Sequence, residues 1–336
     1  MKSMHILTLA MILALIGLIA VGCSEKGGAA EGEDGEKKVS GIVPVYTPGA
    51  GGISYILSAG IGKIFNSGDK MPGVQLVTEA TNGGAEIVQM TLDKANANQN
   101  VFGINAVVDV AEAYNGEYDK IPGEQKNLRA VAFMNYAAAH MIVSADSKIE
   151  TLADLKGKKV GLPPGSATES IIKAVLKDGY GLEDGDYKVL PLGYNEIQEG
   201  IQDGSIDAGP LLGAIPAPLV NELAQLKDVR LLTVDKEAEE KFLAANPYYT
   251  MRTVEANTYP GQDKEVVVPS MDVIAFTHEG ADEELVYNFI DTILSNKEEM
   301  DSIHPAAKDI NNETIFEGLE IPMHPGAERY MKEHME

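Results

Sequence analysis

From residue 39 onward the apolar positions recur as strand, glycine-bearing loop and helix, and the cycle repeats. Residues 41–46 are apolar and β-branched enough for a strand. Thr47-Pro48-Gly49-Ala50-Gly51-Gly52 follows, and Tyr55, Leu57, Ile61, Ile64 and Phe65 then fall at helical spacing over 54–65. Further strands are predicted at 74–79, 101–104 and 128–133. Helices are predicted over 85–92, entered through Thr81-Asn82-Gly83-Gly84, and over 107–114. The same grammar restarts mid-chain with a helical turn within 149–159, a strand at 160–162, the loop Pro163-Pro164-Gly165-Ser166 and a helix to about 177. Strands at 189–192, 206–209 and 229–234 then alternate with helices over 196–203 and 217–225. Such alternation predicts an α/β fold with parallel-rich sheets flanked by helices. Two units of it in succession predict two lobes, with a cleft at the strands' C-terminal ends.

The chain begins with a different pattern. Residues 6–21 are apolar apart from Thr8 and Gly17, and Ala20-Val21-Gly22-Cys23 closes the run. About 18 or more apolar residues would be needed to span a bilayer, so this shorter run reads as an export signal. A cysteine directly after small residues makes 1–23 a lipoprotein signal peptide with Cys23 as the lipidated residue, although Ala20 stands where leucine is usual. The alternative is an ordinary signal peptide or an uncleaved anchor that contains a cysteine. Residues 24–39 are glycine-rich and acidic with few apolar positions, and are expected to form a flexible linker holding the folded part about 20–25 Å from the membrane. Cys23 is the chain's single cysteine, so no disulfide or thiolate metal site is available and stability must come from burial. The length allows two cores.

A formal net charge of −24 excludes polynucleotide binding and repels anionic lipid. It also means that an anionic ligand would need local donors. Three glycine loops supply such places, at 49–52, 82–84 and 165–166, each at a predicted helix N-terminus where free N–H groups and the helix dipole favour anions. None is a nucleotide fingerprint: Leu57 stands where a P-loop ending in Gly62-Lys63 needs glycine, and the first loop is not GxGxxG. Each loop also has a purely structural reading. Ser166 with Glu169 three residues later is a capping box that needs no ligand.

Catalytic patterns are hard to find. The six histidines are scattered, with no HExxH or paired zinc spacing, and Ser166 has no nucleophile elbow around it. His140 and His278 read as structural or surface residues, and the clustered carboxylates at 237–240 and 298–301 as solvated helix faces. No catalytic residue, metal or cofactor is expected.

Several longer motifs carry a resemblance. Asn257-Thr258-Tyr259-Pro260-Gly261-Gln262-Asp263, preceded by Pro247-Tyr248-Tyr249, is similar to a segment of the TAXI-type solute receptors of TRAP transporters. His324-Pro325-Gly326-Ala327-Glu328-Arg329-Tyr330 is similar to another, and Pro164-Gly165-Ser166-Ala167-Thr168-Glu169 resembles that family's PGSGTE loop with one change. Gly51-Gly52, Thr81 to Gly84, Glu112-Ala113-Tyr114-Asn115-Gly116 and 152–159 fit in order. The resemblance implies a two-lobed periplasmic-binding-protein fold of type II, with two sheets joined by a two-stranded hinge. It also implies capture of a small carboxylate-bearing solute for delivery to the membrane subunits of an ion-driven TRAP permease. Two departures fall where ligand should sit. The family's Gly-Gly-Thr-Tyr-Tyr reads Gly51-Gly52-Ile53-Ser54-Tyr55, and its Val-Gln-Ser-Asp reads Asn105-Ala106-Val107-Val108. Buried donors and acceptors set such specificity, so the role carries over and the solute does not.

The resulting expectation is a lipid-anchored, extracytoplasmic, monomeric solute-binding protein. Lobe I would comprise 40–138 and 275–336 and lobe II 139–274, with 139–145 and 272–277 crossing between them. The expected ligand-binding residues are Gly51, Gly52, Ser54, Tyr55, Thr81, Gly83, Gly84, Asn105, Gly165, Ser166 and Thr168. A binding lipoprotein of an ABC importer, or a lipoprotein enzyme, are the alternatives.

Overall fold

The structure, a computed structural model, describes residues 39–335. The signal peptide, Cys23 and linker positions 24–38 lie outside them. Among the described residues no helix is long and apolar enough to cross a membrane.

The first half runs β1 (Gly41–Thr47), α1 (Ile53–Ser67), β2 (Val74–Ala80), α2 (Gly84–Asn96), β3 (Phe102–Ala106) and α3 (Val107–Asn115). A long strand β4 (Leu128–Ser144) leads into the second half: a 3₁₀ turn at Leu152–Leu155, β5 (Lys159–Leu162), α4 (Ala167–Ala174), β6 (Lys188–Pro191) and α5 (Tyr194–Asp203). After these come β7 (Ala208–Gly213), α6 (Pro218–Leu226), β8 (Val229–Leu231), α7 (Lys236–Ala245) and β9 (Thr250–Val254). A second long strand, β10 (Val266–His278), returns to the first half, where α8 (Glu283–Ser295), α9 (Lys297–Ile303) and α10 (Pro325–His334) complete the chain.

β1 pairs in parallel with β2 and β3, and β5 with β6 and β7, as the strand–helix alternation requires. The two parallel groups are joined by β4 and β10, antiparallel to each other, into one sheet of order β2-β1-β3-β10-β4-β7-β5-β6. β4 merges two predicted pieces, 128–133 and 139–145. Its middle, Met134 to Ala138, has no β-branched residue and no apolar–polar alternation, and pairing to β10 fixes it as strand. The ladder changes hands at the crossing. β7 takes Ala138 to Val143, whereas β9 takes β10 up to Ser270 and β3 takes it from Val273. Only Asn135 to Ala137 and Met271 to Asp272 bridge the halves, because 139–143 are already bonded into the second half and 273–276 into the first. On β4 this lies before the expected 139–145, whereas on β10 Asp272 is the first residue of the expected 272–277.

The fold is a two-lobed mixed α/β structure, with each half packed on both faces. In the first, α1, α8 and α10 cover one face, with Phe102 stacked on Phe289 at 4.3 Å, and α2 and α3 cover the other. In the second, Ile171, Leu176 and Phe242 pack one face, and Ile197, Val220 and Leu223 the other. Each fully buried aliphatic or aromatic side chain of this kind stabilises the fold by about 1.5–3 kcal/mol, which substitutes for disulfides.

Two motifs that carried the family resemblance serve the fold. His324 caps α10, its Nδ1 accepting from Gly326 N at 3.2 Å, while Nε2 lies 3.1 Å from the Ala281 carbonyl. A side chain at Gly326 would collide with the Glu283 carbonyl. The Tyr259 hydroxyl accepts from Ala217 N at 2.7 Å and meets His140 Nε2 at 3.0 Å. His140 is fully buried, and its Nδ1 donates to the Leu211 carbonyl at 3.2 Å. Burial holds its pKa down at about 4, a neutral structural imidazole.

Candidate functional site

Parallel pairing delivers the loops before α1 and α2, and the direct β3–α3 junction, to one edge of the first half. It does the same for the loops before α4, α5 and α6 in the second. Hydrogen bonds tie these loops together. Thr81 N donates to the Thr47 carbonyl at 2.9 Å, Asn105 Nδ2 donates to the Gly84 carbonyl at 3.1 Å, and the Thr168 and Tyr194 hydroxyls lie 2.6 Å apart.

The three glycine loops differ in what already occupies them. At α4, Ser166 is the N-cap: its Oγ accepts from Glu169 N at 3.2 Å and donates to the Pro163 carbonyl at 2.7 Å. The Glu169 carboxylate accepts from Gly165 N at 2.7 Å, which with Lys173 holds its pKa below the usual range against the opposing effect of burial. At α2, Glu86 accepts from Asn82 N at 2.7 Å and from Asn82 Nδ2 at 2.9 Å. The Thr81 hydroxyl is spent on the Thr47 carbonyl, and Gly83 holds φ at 142°, open to glycine. A Cβ at Gly84 would overlap the Asp109 carboxylate, so this helix start is crowded by the chain's own acid. At α5, Glu196 accepts from Gly193 N at 2.8 Å.

α1 is different. Its N-cap is Gly52, no side chain among the described residues caps it, and its first turn holds no acid. Where α2, α4 and α5 carry Glu86, Glu169 and Glu196 at the third helical position, α1 carries Tyr55. α6 also lacks a first-turn acid, but Pro218 fills its first position and the Tyr259 hydroxyl takes the Ala217 amide. Gly51 and Gly52 are exposed and Tyr55 is half-buried. Ser54, 9% exposed, accepts from Asn135 Nδ2 at 3.2 Å. Asn135 is itself 3% exposed and lies on the crossing of β4, so the first turn of α1 is bonded to the strand that joins the halves.

The wall beside it is apolar. Ala106 and Val108 pack in the second half's cluster with Ala137, Met271 and Ile171. The stretch Asn105-Ala106-Val107-Val108, which departs from the family, is thus where the halves touch, and Asn105 spends its side chain on Gly84 and on Ala106 N. On the opposite face of the crossing, since neighbours on a strand point to opposite sides, Tyr136 carries the Arg252 guanidinium over its ring at 4.6 Å. Arg252 pairs with buried Asp272 at 2.8 Å, and the Tyr136 hydroxyl accepts from Ile215 N at 3.2 Å. Asn135, Tyr136 and Arg252 were missed in the sequence. They come from strands over a hundred residues apart, and no local pattern marks them.

Residues 45–334 match the NMT1-like family. The chain belongs to that family. Among solved structures, XAC2383 from Xanthomonas citri bound to ATP is similar, with 10% identity, coverage of 88% of this chain and 95% of that one, and a TM-score of 0.51. A putative sulfonate ABC transporter's periplasmic sulfonate-binding protein SsuA from Methylobacillus flagellatus KT is 11% identical over 88% of this chain and 94% of that one, with a TM-score of 0.50. A TctC solute binding protein from Polaromonas is 16% identical over 80% and 86%, with a TM-score of 0.49. At these identities the likeness is one of fold, and the fold is that of periplasmic binding proteins.

Proposed function

We propose that this NMT1-like chain is an extracytoplasmic solute-binding protein that captures a small acid between its two halves and hands it to a membrane permease. The observation that carries the reading is the bare first turn of α1. It offers the Ile53, Ser54 and Tyr55 amides and the Ser54 hydroxyl beside Asn135 with no carboxylate at its mouth, whereas the starts of α2, α4 and α5 each hold one of the chain's own glutamates against a loop amide. Of the residues expected from sequence, Gly51, Gly52, Ser54 and Tyr55 form the binding turn. Gly83, Gly84, Gly165, Ser166, Thr168, Thr81 and Asn105 shape and brace the surrounding loops. The acid-free turn of α1 and the apolar wall of Ala106, Val108 and Met271 suit an acid with one anionic head and a less polar body.

The two halves would close about the β4–β10 crossing at 135–137 and 271–272, driven by ligand contacts to both. Cys23 would carry the lipid anchor, and the chain would act as a monomer without catalytic chemistry. The sequence resemblance favours a TRAP permease as partner. The likeness to a sulfonate-binding protein of an ABC transporter supports the second reading, in which the same capture feeds an ATP-driven importer. A thermal-shift screen of carboxylates and sulfonates tests the capture: a ligand at a hundred times its Kd should add about 2.7 kcal/mol of stability. Co-purification from membranes then separates the partners, since only an ABC importer brings a P-loop ATPase subunit.

A further inference from the structure

One face of α3 lies against the second half of the molecule. Val108 at its start belongs to the second half's apolar cluster, which includes Ile171, Leu176, Phe242 and Met271, and Asn115 at its end donates from Nδ2 to the Tyr248 hydroxyl at 2.7 Å. Glu112 stands four residues after the first and three before the second, so it shares that face. The groups around it are mostly of its own sign. Burial, then Asp109, Glu117 and Asp119, push its carboxyl up to about 7, with Lys120 alone pulling it down. Asp109, raised by burial, is hydrogen-bonded by Asn105 and Tyr118 and faces Gly84 of α2. From the second half, Tyr249 faces the pair, its hydroxyl pKa raised by burial and then by Glu112 and Asp109. Lys126 is engaged elsewhere, with Asn115 Oδ1 at 3.0 Å and the Tyr114 ring at 4.2 Å. His140 titrates at about 4, within the second half.

Opening the halves would return water to the side of Glu112 that faces Tyr249 and relieve the part of its shift that burial causes, while closing strips water from a carboxylate among carboxylates. We propose that closure of the two halves takes up a proton at Glu112, so that the closed form gains as the pH falls and the open form gains as it rises. This rests on the reading that the halves open and close about the β4–β10 crossing. The sign follows from the two states: closing adds burial and raises the carboxyl toward about 7, so the closed form binds more protons below that value and falling pH favours closure there. Because Glu112 is only half-buried, the closed-to-open ratio should change by roughly tenfold between pH 8.5 and 5.5, less than the full shift implies.

The experiment uses the full chain with Cys23→Ser, spin-labelled through Gln89→Cys on α2 and Glu199→Cys on α5, both exposed. Pulsed electron-spin distance measurements are made from pH 5.5 to 8.5 without ligand, and again with saturating acid from the thermal-shift screen. The parent should shift from long to short distances as the pH falls. Glu112→Gln should be mostly closed and flat across the range. Tyr248→Phe, which removes the Asn115 partner, should be less closed at every pH yet keep the slope. A Glu112→Gln variant that keeps the parent's slope overturns the proposal. So does a parent that is flat with pH but still closes on ligand, which would leave the capture reading intact. No change with either pH or ligand would overturn the closure reading and this inference together.

Discussion

Tyr55→Glu converts α1 into the kind of helix start that α2, α4 and α5 already have. In those helices the third-position glutamate reaches back to a loop amide, at 2.7 Å for Glu86 and Glu169 and 2.8 Å for Glu196. At position 55 the same reach would bring a carboxylate to the mouth of the Gly51-Gly52 turn, whose Gly52 amide already bonds the Gly49 carbonyl at 3.0 Å, and the carboxylate would sit at the positive end of a 15-residue helix. That should stabilise the fold by about 0.3–1 kcal/mol. An anionic ligand on the same turn would then face a like charge at about 4 Å, which costs from about 1 kcal/mol in water to about 4 kcal/mol at an effective dielectric of 20. Affinity should fall by roughly fivefold to several hundredfold. Tyr55→Gln, of the same length without the charge, separates repulsion from loss of the ring and should retain most of the binding. The assay is calorimetric titration with an acid found by thermal-shift screening, alongside urea unfolding of each variant. A Tyr55→Glu protein that is stable and binds the acid as the parent does would refute the assignment of α1 as the anion-binding turn.

Asn135→Ala should leave Ser54 without its partner and weaken acid binding by about 0.5–1.5 kcal/mol, with an intact fold by circular dichroism; unchanged affinity would detach the crossing strand from the site. His140 sets an acid limit on stability. Its folded pKa of about 4 lies below the unfolded 6.5, so its contribution is full above pH 6.5 and is lost as the pH falls toward 4. Urea midpoints should decline across that window, His140 contributing at most about 3 kcal/mol, and His140→Phe should make the decline shallower, the remainder coming from His324, which burial also holds at about 4. Cys23→Ser should release the protein from membranes or leave it uncleaved, and fractionation and migration like the parent would contradict the lipid anchor.

What the sequence reveals and what it hides divide along contact distance. Helix starts were legible because capping is local: Ser166 with Glu169 reads as a cap, and the structure uses it as one. The glycine loops were legible as helix N-termini for the same reason. Their occupancy was less so, since the Asp109 carboxylate that fills the space at Gly84 comes from a different helix, 25 positions along. The crossing was blurred because Met134 to Ala138 gains its strand identity from β10. Asn135 drew no notice because its meaning lies in Ser54, 81 positions earlier in the chain.

The most direct test of the account is the response of the backbone amides, read as ¹⁵N-resolved chemical shifts while an acid from the thermal-shift screen is titrated in. The largest shifts should fall at the Ile53, Ser54 and Tyr55 amides and at the Asn135 side-chain amide, with smaller ones at Gly165 and Ser166. Largest shifts at Gly165 and Ser166, with 53–55 unmoved by a saturating ligand, would contradict it.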